Sequence, residues 1–403
     1  MNSRIGLSNI IFITCSTFIV ACYLLPQVQL FVRIQELALL TFVFYVVFCQ
    51  KQLGFSPLCV LKWFIPFVLI YFMVSKSFSL KYGFFHPVLL LWSCIFPVFM
   101  YKAIESRNNT VEKKTILICS LIIFIYVIVK TVSMMQVDPT IARAMTSGLT
   151  DEDYVLQMKL LGIGGYGISY ASGLLALSSL SVYLSSTSQK MKYGSLASFL
   201  FFMYMVFNAQ FTTLIILTAL CIGTMLFLNS KSKSEKVLWI FLTIIIVCLF
   251  PMIIQQLISL YGDSPVAWHL EELYNKLTGV GVVEESQRDV YRSQIISLML
   301  ESPFWGHNVD GQYAYLFTHS HSTILGYGLA TGFVGGYFYI VTYIKSFRYA
   351  VSHYSTTLMK MSFFPVVIFY VLLSFFNPTN SIEINFVFFL LVPLVYNCVI
   401  SSK

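Results

Sequence analysis

Twelve times along this 403-residue chain the sequence runs apolar for long enough to cross a lipid bilayer as a helix. A bilayer core takes about 17–25 apolar residues in helical form. The runs lie at 8–25, 34–50, 58–75, 84–104, 115–135, 163–186, 192–208, 211–229, 236–258, 321–345, 357–376 and 380–400. They are continuously apolar, whereas barrel strands alternate, so helices are expected. Only 10% of the residues are charged and 58% are hydrophobic, against roughly 25% charged in a soluble domain, whose surface must be wetted. The expected fold is an all-α integral membrane protein with about 12 transmembrane helices, one polytopic domain over 1–403. Arg4 and the apolar run from Ile10 resemble a signal peptide, and Ile19-Val20-Ala21-Cys22 loosely fits a lipoprotein cleavage box. The spans that follow favour an uncleaved first helix.

Lys and Arg orient the spans. With the N-terminus inside, the inner connections hold 14 of them, Lys113, Lys114, Lys231 and Lys233 included, while the short outer connections hold only Arg33, Lys76 and Lys81. Both termini are therefore expected in the cytoplasm. The net charge of +8 is dispersed between apolar runs, so it reads as positive-inside anchoring to membrane lipid, with no nucleic-acid partner. The nine Cys show no CxxC spacing or Cys/His clustering, which supports neither a disulfide framework nor a zinc site. They read as small apolar packing residues.

Two connections break the pattern of short loops: 136–162 and 257–320, both on the outer face. Loops this long are usually functional or disordered. The second carries Trp268, Tyr274, Tyr291, Trp305, Tyr313 and Tyr315, too many aromatics for a linker, and is expected to form amphipathic helices over the membrane mouth. Arg143, Arg288 and Arg292 all fall within these two loops. From Glu285 to Leu300 polar and apolar residues alternate at helical spacing, which sets Arg288 and Arg292 four apart on one face. A guanidinium keeps its charge and donates in a fixed fork suited to phosphate. The same spacing also suits a solvated face with Glu285 and Asp289 as partners.

Thr318-His319-Ser320-His321-Ser322-Thr323 lies where the second loop becomes a span. His321 is expected to begin that helix, with Ser320 as its cap. The positive end of the helix dipole favours neutral imidazole, the form that accepts a proton as a general base. A hydrogen-bonded interfacial histidine is the alternative, and it applies with more force to His319 and His307. Lys130, near a span end, is a functional suspect by its place in the membrane, though snorkelling explains it as well. Glu36 and Glu383 read as interfacial.

These residues resemble a known family. His321 to Gly335, HSTILGYGLATGFVG, is similar to the pattern of O-antigen ligases and Wzy-type polymerases, with His321, Ser322, Gly332 and Gly335 in register. The segment RDVYRSQIISLMLESPFWG, Arg288 to Gly306, resembles the stretch that precedes this histidine in Wzy-type polymerases. Gly162-Ile-Gly-Gly-Tyr-Gly167 resembles the glycine-rich start of a span in the same proteins. The resemblance implies a GT-C type glycosyltransferase of the bacterial inner membrane that needs no metal or other cofactor. Its active site would face the periplasm, and its substrates would be undecaprenyl diphosphate-linked oligosaccharides, with a chain-length regulator as a further partner. His321 would be the general base, and Arg288 and Arg292 catalytic. Arg143, Arg288, Arg292 and Tyr291 would bind diphosphate, with Lys159 a weaker candidate. Such electrostatic stabilisation of the departing diphosphate would accompany an oxocarbenium-like transition state.

The chain departs from the ligase pattern at Asn208-Ala209-Gln210-Phe211-Thr212-Thr213, where many ligases carry an arginine. That favours a polymerase, an enzyme extending the glycan, over a ligase that transfers it to lipid A-core. A lipid-linked oligosaccharide flippase is the alternative of a different class. Transporters usually place their binding groups near the bilayer midplane, whereas the ionisable residues here gather in the outer loops.

Overall fold

The computed structural model describes residues 7–31, 36, 58–74, 89–107, 109–145, 151–209, 211–230, 232–262, 265–278, 287–307, 313, 316, 322–350, 357–377, 379 and 381–400. Among them every regular element is helical and none is a strand. The order is α1 (Leu7–Leu24), α2 (Pro26–Phe31), α3 (Leu58–Val74), a π-helical turn (Leu91–Ile95) running into α4 (Phe96–Ser106), and α5 (Thr110–Met135). Next come α6 (Ile141–Ala144), α7 (Glu152–Leu160), α8 (Tyr166–Ser185), α9 (Gln189–Asn208), α10 (Thr212–Asn229) and α11 (Lys233–Tyr261). Last are α12 (Pro265–Thr278), α13 (Gln287–Glu301), α14 (Thr323–Ala350), α15 (Thr357–Phe376), α16 (Ile382–Phe386), a second π-helical turn (Val387–Leu391) and α17 (Val392–Ile400).

The described residues of eleven of the apolar runs fall mainly on these helices; the run at 34–50 lies outside the described residues apart from Glu36. Among the described residues five helices, α1, α5, α8, α10 and α14, are long and apolar enough to cross a membrane. The chain is thus all-α and built for a membrane. Several hydroxyl groups inside the helices are satisfied by their own helix, which suits a lipid surrounding. Ser120, Thr131, Ser172, Ser178 and Thr218 each donate to the carbonyl four residues back at 2.7–2.8 Å.

Capping residues set several helix ends further out than the apolar runs alone indicate. Asn109 Oδ1 accepts from the Val111 and Glu112 amides, so α5 begins at Thr110, five residues ahead of its run. Ser232 and Glu235 exchange side-chain bonds with each other's backbone N–H, and α11 begins at Lys233. Such caps satisfy amides that have no partner inside the helix.

α8 is the hub. It is buried along most of its length, and its small residues let neighbours approach closely. A Cβ on Gly173 would lie 2.8 Å from Leu214 of α10 and 3.1 Å from Phe369 of α15. Those contacts bring the start of α8, the start of α10 and the end of α15 to one end of the bundle. Elsewhere in the core Tyr23 stacks between Trp92 and Phe386 at 4.2 and 4.5 Å, its hydroxyl donating to Trp92 O at 2.5 Å.

The opposite end is fastened by charge. Arg107 donates through Nε and Nη2 to the Glu112 carboxylate at 2.7 and 3.0 Å, and through Nη2 to Asn9 Oδ1 at 3.0 Å. Its guanidinium also lies 4.3 Å from the centre of the Phe12 ring. This joins the start of α1, the end of α4 and the start of α5. Lys102 pairs with Glu105 at 2.7 Å beside it.

Candidate functional site

The site is built where α13, α14 and α15 meet. α13 carries Arg288, Tyr291 and Arg292 in one helix, as the spacing predicts. Arg292 is half-buried, and its Nη2 donates to Phe376 O, the last residue of α15, at 3.1 Å. Tyr291 beside it is also half-buried. The side chain of Arg288 lies outside the described residues, as do His319, Ser320 and His321.

α14 begins at Thr323, two residues after the expected start, with Ser322 as its cap. Ser322 Oγ accepts from Leu325 N at 3.3 Å, and Ser322 O accepts from Gly326 N at 2.9 Å. The same hydroxyl lies 3.3 Å from Ser374 O in the last turn of α15. Arg292 and Ser322 therefore converge on one helix end: Phe376 O takes the guanidinium and Ser374 O the hydroxyl. Helix C-terminal carbonyls lack partners within their helix, and a cation suits the negative end of the dipole. Both bonds follow from that chemistry.

The start of α14 is held from a second side. Thr379 N donates to Thr323 Oγ1 at 2.6 Å, Asn385 Nδ2 donates to Thr379 O at 2.9 Å, and Tyr370 OH bonds Asn385 Oδ1. This buried chain runs from the core to the residue after Ser322. Buried polar groups are costly unless all are satisfied, so it holds the start of α14 in one position.

A third attachment explains the two motif glycines. Gly332 sits at φ +65°, ψ −170° and breaks α14, and Gly306 sits at φ +73°. Backbone meets backbone between them. A Cβ on Gly332 would lie 2.5 Å from Phe304 C, and one on Gly306 would lie 2.5 Å from Gly332 N. Phe333 N donates to Pro303 O at 2.7 Å and His307 N to Leu329 O at 2.8 Å, so the groups freed by the break are paired. Gly335 fits against Thr331, whose side chain a Cβ there would overlap. The turn after the arginine helix is thus plugged into the helix that follows His321. His307 itself is accounted for by structure: its Nε2 lies 2.6 Å from Leu298 O and its ring faces Tyr313.

Arg143 belongs to α6, in the first long connection. Its guanidinium lies 5.7 Å from the centre of the Phe211 ring, at the start of α10. Phe211 packs on Tyr166 and Tyr170 of α8. Arg143 therefore stands at the start of α10 and Arg292 at the end of α15, at the same end of the bundle. Asp138 organises the approach to Arg143. Its carboxylate accepts from Thr140 N and Oγ1 at 2.9 and 2.7 Å and from Tyr154 OH at 3.3 Å. Loss of solvation, with Asp138 adding to it, raises the Tyr154 hydroxyl above the ordinary phenol value. Lys159 is half-buried on α7, and Lys130 is exposed on α5.

The glycine-rich stretch before α8 is a junction that composition alone does not reveal. Gly162, at φ +83°, leaves room for the Gln27 side chain, Gly164 N donates to Thr131 Oγ1 at 2.8 Å, and Gly167 faces Ser381 and Glu383. Glu383 also accepts from Gln29 Nε2 at 3.1 Å. It is thus a bonded joint between α2 and α16. Among the described residues no three His, Cys, Asp or Glu side chains cluster as metal ligands. Compared with known proteins, the chain matches no family model and no curated sequence.

Proposed function

We propose that this chain is a polysaccharide polymerase of the O-antigen type, a GT-C type membrane glycosyltransferase. In this reading it spans a bacterial inner membrane twelve times with both termini in the cytoplasm and the Arg292 end facing the periplasm. It transfers a growing glycan from a polyprenyl diphosphate carrier to a sugar hydroxyl of another lipid-linked repeat unit. The observation that carries the reading is the convergence of Arg292 and Ser322 on the last turn of α15, at 3.1 and 3.3 Å. Ser322 directly follows His321 in the chain. A proton acceptor and a phosphate-binding cation are what this transfer needs side by side.

The step balances without further reactants. The acceptor hydroxyl oxygen attacks the anomeric carbon while His321 takes its proton. The bond from that carbon to the diphosphate oxygen breaks, and the diphosphate leaves with the electron pair. Arg292, with Arg288 and Arg143, offsets the charge that develops on it. One displacement inverts the anomeric configuration.

The test is reconstitution. Purified protein in vesicles receives a polyprenyl diphosphate-linked repeat unit, with and without lipid A-core. A ladder of polymer on the carrier supports the proposal. Transfer to lipid A-core alone makes the protein a ligase, and movement of the lipid between leaflets without any new glycosidic bond makes it a flippase.

A further inference from the structure

The stretch of the second long connection that includes α13 is not clothed like a water-exposed loop. Ile296, Leu300, Phe304 and Trp305 are 48, 67, 65 and 55% exposed. On an α-helix residues four apart are offset by about 40°, so Ile296 and Leu300 adjoin along one edge of α13. The rest of its exposed face is polar: Ser293, Gln294, Ser297 and Glu301. The exposed surface is therefore split lengthwise into a wettable half and an apolar edge.

That edge does not end at the helix. Pro303 accepts the Phe333 amide, and the Phe304 backbone lies against Gly332, so the edge passes directly onto α14. There Phe333, Tyr337, Ile340 and Ile344 are all exposed, at spacings of four, three and four. This is the outward stripe of a helix long and apolar enough to cross a membrane. One continuous apolar band thus runs from α14 up to Trp305 and Leu300.

We propose that α13 and the turn after it are sunk into the surface of one leaflet, with Ile296, Leu300, Phe304 and Trp305 among the lipid acyl chains. Ser293, Gln294, Ser297 and Glu301 face water. The partner is the bilayer itself, since the band continues a surface whose occupant is lipid. A helix with one apolar edge, followed by a turn that carries an indole, is the kind of element that lies in an interface. The inference stands apart from the sugar-transfer reading and holds or fails without it. One step round the helix from Ile296 lies Arg292, at the level where lipid headgroups carry their phosphates.

Tryptophan quenching in vesicles tests this. The chain has five tryptophans, so the full protein and Trp305→Phe are reconstituted into phosphatidylcholine and their difference signal isolates Trp305. The expected result is loss of that signal when the lipid is brominated near the headgroup, and its survival in iodide supplied to both faces. Leu300→Trp in the Trp305→Phe chain supplies a second position with the same expectation. Loss to iodide with survival in brominated lipid, at both positions, overturns the proposal.

Discussion

Replacing Gly332 with alanine should destabilise the bundle far more than one methyl group suggests. The residue sits at φ +65°, ψ −170°, a region open essentially to glycine alone, and forcing a side chain there costs about 1–3 kcal/mol. The added Cβ would stand 2.5 Å from both the carbonyl carbon and oxygen of Phe304 and 2.6 Å from Trp305 N. These are backbone atoms that cannot rotate aside, and overpacking of this kind costs about 1–3 kcal/mol more. The total is roughly 2–6 kcal/mol. At about 2.1 cal/mol/K of unfolding entropy per residue, 1 kcal/mol is about 1.2 °C for 403 residues, so the melting point should fall by about 2–7 °C. Gly223 is the control. Nothing lies within 4 Å of a Cβ there, and alanine is the better helix former by about 1 kcal/mol. Gly223→Ala should match or slightly exceed the parent. The assay is thermal melting of the purified chain in detergent, followed by circular dichroism. Equal melting points for Gly332→Ala and the parent would refute the interlock of α14 with the turn after α13.

Three further substitutions probe other parts of the structure. Glu112→Gln removes the carboxylate that takes two bonds from Arg107 in a pocket where the Glu112 side chain is 2% exposed. Leaving that guanidinium uncompensated should cost about 3–5 kcal/mol, read as a lower melting point. Thr323→Val keeps the shape of the side chain but strands the Thr379 amide it accepts from, a loss of about 1–3 kcal/mol in the same assay. Arg292→Lys keeps the charge but loses the fork that bonds Phe376 O. It should slow polymer formation in vesicles by about tenfold or more, short of the 100–1000-fold typical of removing a transition-state donor. An unchanged rate would reduce Arg292 to a structural cation.

The bundle was largely legible because lipid leaves the chain few choices. Continuous apolar runs become helices, and even the break at Asn208–Gln210 appears, with α9 ending at Asn208 and α10 starting at Thr212. Helix starts were harder. They depend on caps such as Asn109, Ser232 and Ser322, whose hydrogen bonds extend or trim a helix independently of hydropathy. The arginine helix was readable from its period, and Arg288 and Arg292 do share α13. What held it in place was not readable. Gly332 breaks α14 and receives a turn that ends 25 residues earlier, at His307. Pairings of that kind are settled by tertiary contacts. The bonds of Arg292 and Ser322 to the end of α15 were hidden for the same reason, since Ser374 and Phe376 lie more than 50 residues beyond Ser322 in the chain.

His321→Ala decides whether this end of the bundle makes glycosidic bonds. The variant protein, reconstituted beside the parent, is assayed for binding of the polyprenyl diphosphate-linked repeat unit and for polymer formed from it. If His321 takes the acceptor proton, binding survives at the parental level and no ladder appears. A normal ladder from the alanine variant would show that the imidazole has no part in the reaction.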